Sequence, residues 1–326
     1  MNTVIVYNKK STFIQSDIDL FNCQSYEWHG LKKQILFFLF HRFDNYLVWF
    51  NDYHAFIPII FSRIYFGRST LIIAGFDGMG LKIAGKPYGL FSQNWFRRSI
   101  GKLNYKLCHR IASYHSSLIH GFNEYGQNKM GFQNWCRINQ NKIHIIPPGY
   151  NSELWKSETL IRDIDFLTVG IVNTKAGFLR KGLDSYLKMA ELMPKYKFLA
   201  IGINMERGEI SEIPKNVEII SVVDQDIIRY YMNRSKVYCQ FSLAEGLPNT
   251  VMESILMGCF PCLTAVNGMT DLPVNKVLIR DEVRPKYLED AAKLSTESAC
   301  YENRKILEKE YSLEKRFNSF NMLMKR

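Results

Sequence analysis

A chain of 326 residues is long enough for two domains that each bury a core, and its 47% apolar and 22% charged residues are ordinary for a soluble protein. The longest apolar run, residues 35–40, is too short to span a membrane, and seven scattered cysteines argue against a disulfide framework and for a reducing compartment. The net charge of +11 resides mostly in residues 1–150, where 17 Lys and Arg face 7 Asp and Glu. This basic half predicts contact with a membrane surface or a nucleic acid, unless it is simply a solvated surface.

The first half of the chain alternates short apolar runs with amphipathic stretches. Alternation of this kind predicts an α/β fold, in which a doubly wound parallel sheet carries helices on both faces. Ligands of such sheets bind at the carboxyl ends of the strands, so the loops after the strands are the candidate site. The predicted strands are Thr3–Tyr7, Asn45–Phe50, Ser69–Ala74, Ser116–His120 and Lys142–Ile146, and the predicted helices include Tyr53–Phe66 and Asn94–Ala112.

Three loops follow strands in this half, at residues 51–54, 75–80 and 120–123. Gly75 and Gly78 permit tight turns and a close approach of the backbone to a ligand. Asp77 either orients an acceptor hydroxyl or closes an Asx turn, and the pattern does not separate the two. His54 and His120, at the ends of the other loops, are each either structural or catalytic.

The spacing of basic and aromatic residues at 95–110 predicts a basic amphipathic helix. Arg98, Lys102 and Lys106 share one face at helical spacing, and Trp95 lies at the start of the helix. Cations beside an interfacial aromatic residue are typical of helices that lie on a membrane surface, although a helix that buries its apolar face and solvates its lysines has the same pattern.

The two prolines and the glycine of Pro147-Pro-Gly149 interrupt the pattern, which then restarts. We therefore expect one domain at residues 1–152 and a second at 153–311, with a closing helix at about 312–326 that packs back on the first domain. In the second half the predicted strands are 165–170, 197–202, 217–222, 237–241 and 260–265, and the predicted helices are 180–193 and 226–233.

The most informative stretch runs from Glu245 to Glu253, where a strand ends and a helix starts near Asn249. The free N–H groups of a helix N-terminus attract phosphate, and the two carboxylates accept hydrogen bonds from hydroxyls on either side. Arg180 and Lys181, at a second turn between a strand and a helix, add cations that pair with phosphate. Together these groups fit a sugar nucleotide.

Four segments of the second half resemble the nucleotide-binding domain of the retaining GT-B glycosyltransferases, the group 1 or family 4 type. The resemblance covers about residues 142–275, and the first half is similar more loosely, at residues 49–54 and 74–89. Its implied fold is two Rossmann-like domains facing across a cleft. The matching segments are Thr168-Val-Gly170 followed by Arg180-Lys-Gly-Leu-Asp184, Glu245-Gly-Leu-Pro-Asn-Thr-Val-Met-Glu253, Ser254–Thr264 and Asn267-Gly-Met-Thr-Asp-Leu272.

The resemblance implies roles for individual residues. Lys181 would bind the donor diphosphate with help from Arg180 or Lys175, Glu245 would contact the transferred sugar, and Glu253 would hold the ribose hydroxyls. Many relatives carry Gly-Arg after the strand that corresponds to 166–170, whereas Ile171 follows Gly170 here, so the diphosphate relies more on the lysines. The loop that would cradle the phosphates consists of Gly246, Leu247, Pro248, Asn249 and Thr250. The acceptor side would be formed by Gly75, Asp77, Gly78, His54 and His120.

The expected activity is transfer of a hexosyl unit from a nucleotide-diphosphate sugar to a hydroxyl, with retention and without a metal or another cofactor. Glu245, Lys181 and Asp77 are the predicted catalytic residues. A lipid-linked glycan or another cell-envelope acceptor fits the basic first half and the helix at 95–110, and no nucleic acid is expected as a partner. We expect the protein in the cytoplasm, peripheral on the inner face of the membrane, because residues 1–7 lack the features of a signal peptide. A sugar-nucleotide epimerase and a non-catalytic binding or scaffold protein remain as alternatives.

Overall fold

The computed structural model describes residues 2–73, 80–83, 86–89, 95–117, 140–158, 161–205, 212–266 and 268–325, and for 80–83, 86–89, 96–98, 102, 105, 117 and 140 the backbone alone. The chain divides into two compact units. Unit 1 comprises Met1–Gly149 and Leu313–Arg326, and unit 2 comprises Tyr150–Ser312. The division after residue 149 lies near the boundary expected after residue 152.

Unit 1 is built on a six-stranded parallel sheet. Its strands are β1 Thr3–Tyr7, β2 Gln24–Glu27, β3 Asn45–Trp49, β4 Arg68–Ile73, β7 Tyr114–Ser117 and β8 Ile143–Ile145, and β5 Gly80–Ile83 forms a separate hairpin with β6 Lys86–Gly89. Its helices in the first part of the chain are α1 Thr12–Phe21, α2 Leu31–Phe40, α3 Phe56–Ile64 and α4 Trp95–Ile111. The strand order is β2-β1-β3-β4-β7-β8. Neither β2 nor the helices α1 and α2 were expected from the sequence; in α2 the uninterrupted apolar run of residues 35–40 obscures a helical periodicity.

Unit 2 repeats the plan with a second six-stranded parallel sheet. Its strands are β9 Ile164–Val172, β10 Phe198–Ile203, β11 Val217–Ile220, β12 Ser235–Gln240, β13 Phe260–Thr264 and β14 Val277–Ile279. Its helices are α5 Lys175–Arg180, α6 Leu183–Leu192, α7 Gln225–Asn233, α8 Asn249–Leu256, α9 Gly268–Asp271, α10 Pro285–Leu294 and α11 Glu297–Glu310. The strand order β11-β10-β9-β12-β13-β14 is that of a Rossmann sheet.

Each sheet is covered on both faces, as the sequence predicts. In unit 2, one apolar cluster contains Phe166, Tyr186 and Phe198, and the other contains Leu167, Tyr238 and Ile255. Successive strand residues such as Phe166 and Leu167 enter opposite clusters, because side chains alternate across a strand. The doubly wound, two-domain α/β fold is therefore confirmed. None of the helices in the described residues is long and apolar enough to cross a membrane.

The last helix, α12 Leu313–Lys325, belongs to unit 1. Its Arg316 forms a bidentate pair with Asp17 of α1, with Nε–Oδ1 and Nη2–Oδ2 distances of 2.7 and 2.6 Å, and both side chains are buried. The same carboxylate accepts from the indole of Trp49 at 3.0 Å. Phe320 packs beside Trp49 in the core on this face of the sheet.

Candidate functional site

The strand order of unit 2 changes direction at β9. This first strand of the unit pairs with β10 on one side and with β12 on the other. Open α/β sheets bind ligands at such a point, because the loops after the two neighbouring strands diverge and leave a crevice. The segment of Lys175 to Lys181 follows β9, and the segment of Glu245 to Thr250 follows β12, so both predicted donor segments start at this edge of the sheet.

Three charged side chains meet there. Oε1 of Glu245 lies 2.6 Å from Nη1 of Arg180 and 2.5 Å from Nζ of Lys181. The three side chains are only 11%, 12% and 17% exposed for Arg180, Glu245 and Lys181, respectively. Two cations on one carboxylate leave a net positive charge in a partly desolvated place, where electrostatic interactions are stronger than in water. The cluster therefore suits a further anion.

The turn at Gly182 positions Arg180 and Lys181 beside Glu245. Its φ of +70° is one that residues with a side chain rarely adopt, and a Cβ there would overlap the carbonyl group of Phe241 at the end of β12. The turn is fixed by a 2.8 Å hydrogen bond from the Leu243 amide to the carbonyl oxygen of Arg180. The single helix expected at 180–193 is wrong for this reason. Arg180 is the last residue of α5, and Lys181 is its C-cap and directly precedes Gly182, the N-cap of α6.

The two lysines of this segment have different surroundings. The Lys181 side chain runs over Gly170 near the end of β9, where a Cβ would lie 3.4 Å from its Cε. Lys175 is exposed at the start of α5, and its ammonium lies 4.9 Å from the centre of the Phe178 ring. The structure thus brings Lys181 and Arg180 together with Glu245, whereas Lys175 makes a separate contact.

The loop after Glu245 leads into the N-terminus of α8, which begins at Asn249 behind Pro248. Proline at the N-cap provides no side-chain hydrogen bond to the first amides of the helix, and the Val251 amide donates to the Pro248 carbonyl at 3.2 Å. The hydroxyl of Thr250 is 2.7 Å from that of Tyr238, and Leu247 is buried in the core. What this loop offers a phosphate is therefore its backbone N–H groups rather than its side chains.

Glu253 is the fifth residue of α8, because the helix begins at Asn249 as the sequence predicts. It follows Asn249 by four residues, so both lie on one face of the helix, and the Cα–Cβ bond of Glu253 points back toward the N-terminus. Burial raises the pKa of its carboxyl group to about 7. A carboxyl group that holds its proton near neutral pH both donates and accepts hydrogen bonds, which suits a pair of neighbouring hydroxyls.

Two tyrosines that the sequence did not single out support this loop. The Tyr238 hydroxyl is buried beneath it and contacts Thr250, the carbonyl oxygen of Val169 at 3.2 Å and Oε1 of Gln240 at 3.0 Å. The Tyr150 hydroxyl lies 2.8 Å from Oδ1 of Asn249. On the other side of the loop, Gly268 packs closely against Gly246, since a Cβ at Gly268 would lie 3.1 Å from the Gly246 carbonyl oxygen. These contacts fix the start of α8.

The residues predicted for the acceptor side fall in two groups. Gly75, Asp77, Gly78 and His120 lie outside the described residues. His54 is 1% exposed, and its Nε2 lies 2.6 Å from the carbonyl oxygen of Trp49. Burial lowers the pKa of His54, so the ring is neutral and holds the turn between β3 and α3. We therefore read His54 as a core residue, and sequence reasoning could not see this burial.

Unit 1 has its own reversal of strand order, where β1 pairs with β2 on one side and β3 on the other. Asn8 follows β1, Asp52 follows β3, and Asn8 Nδ2 lies 3.3 Å from Oδ2 of Asp52. Between β3 and Asp52, Phe50 has a φ of +67°, a strained conformation for an aromatic residue of the kind that clusters at ligand sites. The sequence placed residues 51–54 at a strand end, but it gave no reason to prefer Asp52 to His54.

The helix predicted at 95–110 is present as α4. Trp95 and Lys106 are exposed on it, and the side chains of Arg98 and Lys102 lie outside the described residues.

No family model matches the sequence, and no curated protein matches it. Solved structures do. The Anabaena protein HepE in complex with UDP superposes with a TM-score of 0.73 at 10% identity over 100% of both chains, and the same protein was crystallised with UDP-glucose. Sucrose-phosphate synthase from Thermosynechococcus elongatus gives 0.68 at 11% identity, covering 100% of this chain and 98% of that one. A glycosyltransferase from Rickettsia africae gives 0.67 at 12%, covering 98% and 89%. At such identities the likeness shows the fold, which is the two-domain GT-B fold.

Proposed function

We propose that the protein is a retaining glycosyltransferase that moves a hexosyl unit from a nucleotide-diphosphate sugar to a hydroxyl of a lipid-linked glycan or another cell-envelope acceptor. The observation that carries this proposal is the cluster of Arg180, Lys181 and Glu245 beside the start of α8, at the point where the strand order of unit 2 reverses. The GT-B neighbours support it, and the complexes of HepE with UDP and UDP-glucose make a uridine nucleotide the first donor to test.

The donor diphosphate takes the place of Glu245 at the two cations in this proposal. Lys181 and Arg180 pair with the phosphate oxygens, and the backbone amides at the start of α8 complete the cradle. Glu245, released from its ion pairs, accepts a hydrogen bond from a hydroxyl of the transferred sugar. Glu253 holds the ribose hydroxyls, to which its raised pKa is suited. Lys175 joins the diphosphate only after its side chain leaves the Phe178 ring.

The main requirement of the reaction is stabilisation of the negative charge that develops on the nucleoside diphosphate as it leaves. The bond between the anomeric carbon and the β-phosphate oxygen breaks, and the acceptor oxygen bonds to the same face of that carbon. The acceptor proton passes to the leaving phosphate oxygen, so the products are a glycoside and a nucleoside diphosphate. Fixed cations and helix amides stabilise the charge on that leaving group, and the proposed mechanism requires no metal or other cofactor.

The acceptor side of the proposal lies in unit 1. Asp77, with Gly75 and Gly78 beside it, orients the attacking hydroxyl, and Asp52 with Asn8 contributes to the same side. The basic charge of residues 1–150 and the exposed Trp95 and Lys106 of α4 support a peripheral position on the inner face of the membrane.

A ligand screen followed by a product assay tests this function. UDP, GDP and ADP are added to the full chain, and the bound nucleoside diphosphate is expected to raise the melting temperature, since binding stabilises the folded state. The matching nucleotide sugar is then incubated alone and with membrane lipid extract. Transfer to lipid is the expected result. Conversion of the donor alone into an isomeric sugar nucleotide would identify an epimerase, and stabilisation by none of the three nucleotides would contradict the proposal.

A further inference from the structure

The outward face of α2 carries large apolar side chains that the fold leaves exposed to solvent. Leu36, Leu39 and Phe40 all lie on it and are exposed, and Phe40 is 80% exposed. The opposite face packs on unit 1, with Phe38 in its core and Gln34 donating a 2.9 Å hydrogen bond to the carbonyl oxygen of His54. A cluster of exposed apolar side chains bordered by charged residues often marks a surface that contacts a protein or a membrane. The fold of this chain covers only one side of α2.

Phe66 is a second exposed apolar side chain that the fold does not explain. It is 98% exposed and has a φ of +56°, directly after the last turn of α3. The Phe66 amide donates to the Arg63 carbonyl and the Gly67 amide to the Ser62 carbonyl, which is the pattern of a Schellman cap. That position is usually glycine, because a Cβ is unfavourable in the left-handed region. Phenylalanine therefore strains the backbone here without burying its ring.

These two features form one corner of unit 1. Tyr65, which precedes Phe66, places its hydroxyl 3.3 Å from the carbonyl oxygen of Leu39. The guanidinium of Arg42, two residues after Phe40, lies 4.8 Å from the centre of the Tyr65 ring. We call this patch the α2–α3 corner; it comprises the exposed side chains of Leu36, Leu39, Phe40, Ile64 and Phe66.

Cations surround the α2–α3 corner. Residues 31–68 contain five Lys or Arg and two Asp. Lys32 and Lys33 are exposed on the first turn of α2, and Arg42 is exposed just beyond its other end. Exposed apolar side chains ringed by cations are complementary to an anionic lipid surface, which takes the apolar groups into its acyl region and the cations at its headgroups.

We infer that the α2–α3 corner inserts into the surface of an anionic lipid bilayer, with Phe40 and Phe66 as the inserted side chains. This site is distinct from the basic face of α4 on which the sequence-based expectation rested. The inference rests on the proposed function only in that a lipid-linked acceptor gives the contact a purpose. The assay of this inference contains no donor and no acceptor, so a negative result does not contradict the proposed glycosyltransferase function, and loss of that function does not contradict membrane binding.

Vesicle sedimentation of the full chain tests the inference. The parent protein is expected to bind vesicles of mixed phosphatidylcholine and phosphatidylglycerol, and to bind phosphatidylcholine alone much less. Phe40→Ser and Phe66→Gly should each lower the partition coefficient about tenfold. Phe66→Gly should also raise the melting temperature, because glycine relieves the left-handed conformation, so weaker binding by this variant cannot reflect unfolding.

Two further variants separate the causes. Ile161→Ser removes an exposed apolar side chain of unit 2 and should leave vesicle binding unchanged. Lys32→Glu with Lys33→Glu should weaken binding to the anionic vesicles alone. The inference is overturned if the parent ignores anionic vesicles, or if Phe40→Ser and Phe66→Gly bind them as the parent does. A concentration-dependent dimer that Phe40→Ser abolishes, without vesicle binding, would instead assign the corner to a second copy of the chain.

Discussion

The ammonium nitrogen of Lys181 lies 2.5 Å from Oε1 of Glu245, the same oxygen that Arg180 contacts at 2.6 Å. One carboxylate therefore pairs with two cations, and a phosphate that takes over these same contacts displaces it. This makes Glu245 a competitor of the donor diphosphate as well as its proposed partner, and the two roles are separable by substitution.

Replacement of Lys181 by alanine is expected to weaken binding of the nucleoside diphosphate about 10- to 100-fold, because a hydrogen bond to a charged group contributes about 1.5–3 kcal/mol. Isothermal titration with the nucleotide that stabilises the parent measures this. Lys188→Ala is the matched control, since Lys188 is an exposed lysine of α6 that pairs with Glu282 at 3.2 Å. Equal losses in the two variants would contradict the assignment of Lys181.

Replacement of Glu245 by glutamine should have the opposite effect on binding. Without the carboxylate charge, Arg180 and Lys181 are more available to the diphosphate, so affinity for the nucleoside diphosphate alone should rise severalfold, while sugar transfer falls at least about tenfold because the contact to the sugar is weakened. Titration and turnover measured on the same preparation give both values. A variant that loses affinity and activity together would show that Glu245 supports the cations rather than competing for them.

The pH dependence of stability should identify Glu253. Its pKa of about 7 in the folded protein lies above the ordinary 4.5, so the folded state holds this proton longer than the unfolded state does. Stability from this group is therefore full below pH 4.5, falls as the pH rises to 7, and stays low above it. Glu253→Gln should match the parent at pH 4 and exceed it at pH 8 by on the order of 3 kcal/mol. Denaturant unfolding of both proteins at the two pH values checks this, and a constant difference would refute the raised pKa.

Gly182→Ala should destabilise unit 2 by about 3 kcal/mol or more, since the new Cβ would overlap the Phe241 carbonyl and the φ of +70° is unfavourable. Gly101→Ala is the control. Gly101 lies within α4 with nothing near its Cβ position, so alanine there should stabilise the protein by about 0.5–1 kcal/mol. Thermal unfolding of the three proteins measures both effects. A mild Gly182→Ala variant would mean that the turn relaxes easily.

Asp52→Asn tests the acceptor side. The asparagine side chain can still accept the hydrogen bond that the backbone N–H of Tyr53 donates to Oδ1 of Asp52 at 2.8 Å, but it carries no charge. We expect kcat/KM for the acceptor to fall about tenfold with donor affinity unchanged. Asp19→Asn, an exposed residue of α1, should change neither. An effect of Asp52→Asn on donor affinity alone would move Asp52 out of the acceptor side.

The sequence was sufficient to place the segments of Lys181 and Glu245 at one edge of the sheet, because each follows an apolar run and strand ends converge in a parallel sheet. It could not reveal the break at Gly182, since a glycine inside a helical pattern is tolerated and only the carbonyl of Phe241, 59 residues later in the chain, makes the positive φ necessary. The burial of His54 and the ion pairs of Glu245 depend on residues distant in sequence in the same way. Local patterns predict elements, but tertiary contacts decide which side chain faces the ligand.

The ion pair of Arg316 with Asp17 joins residues 299 positions apart and closes unit 1 with the last helix of the chain. During synthesis on the ribosome, all of unit 2 emerges before α12 does. Asp17 has no guanidinium partner until then, and the core around Trp49 has no Phe320. Unit 2 is therefore able to fold first, and unit 1 completes its core only once α12 has been synthesised. A nascent or prematurely terminated chain exposes the incomplete face of unit 1, which makes that unit the natural substrate of chaperones and proteases.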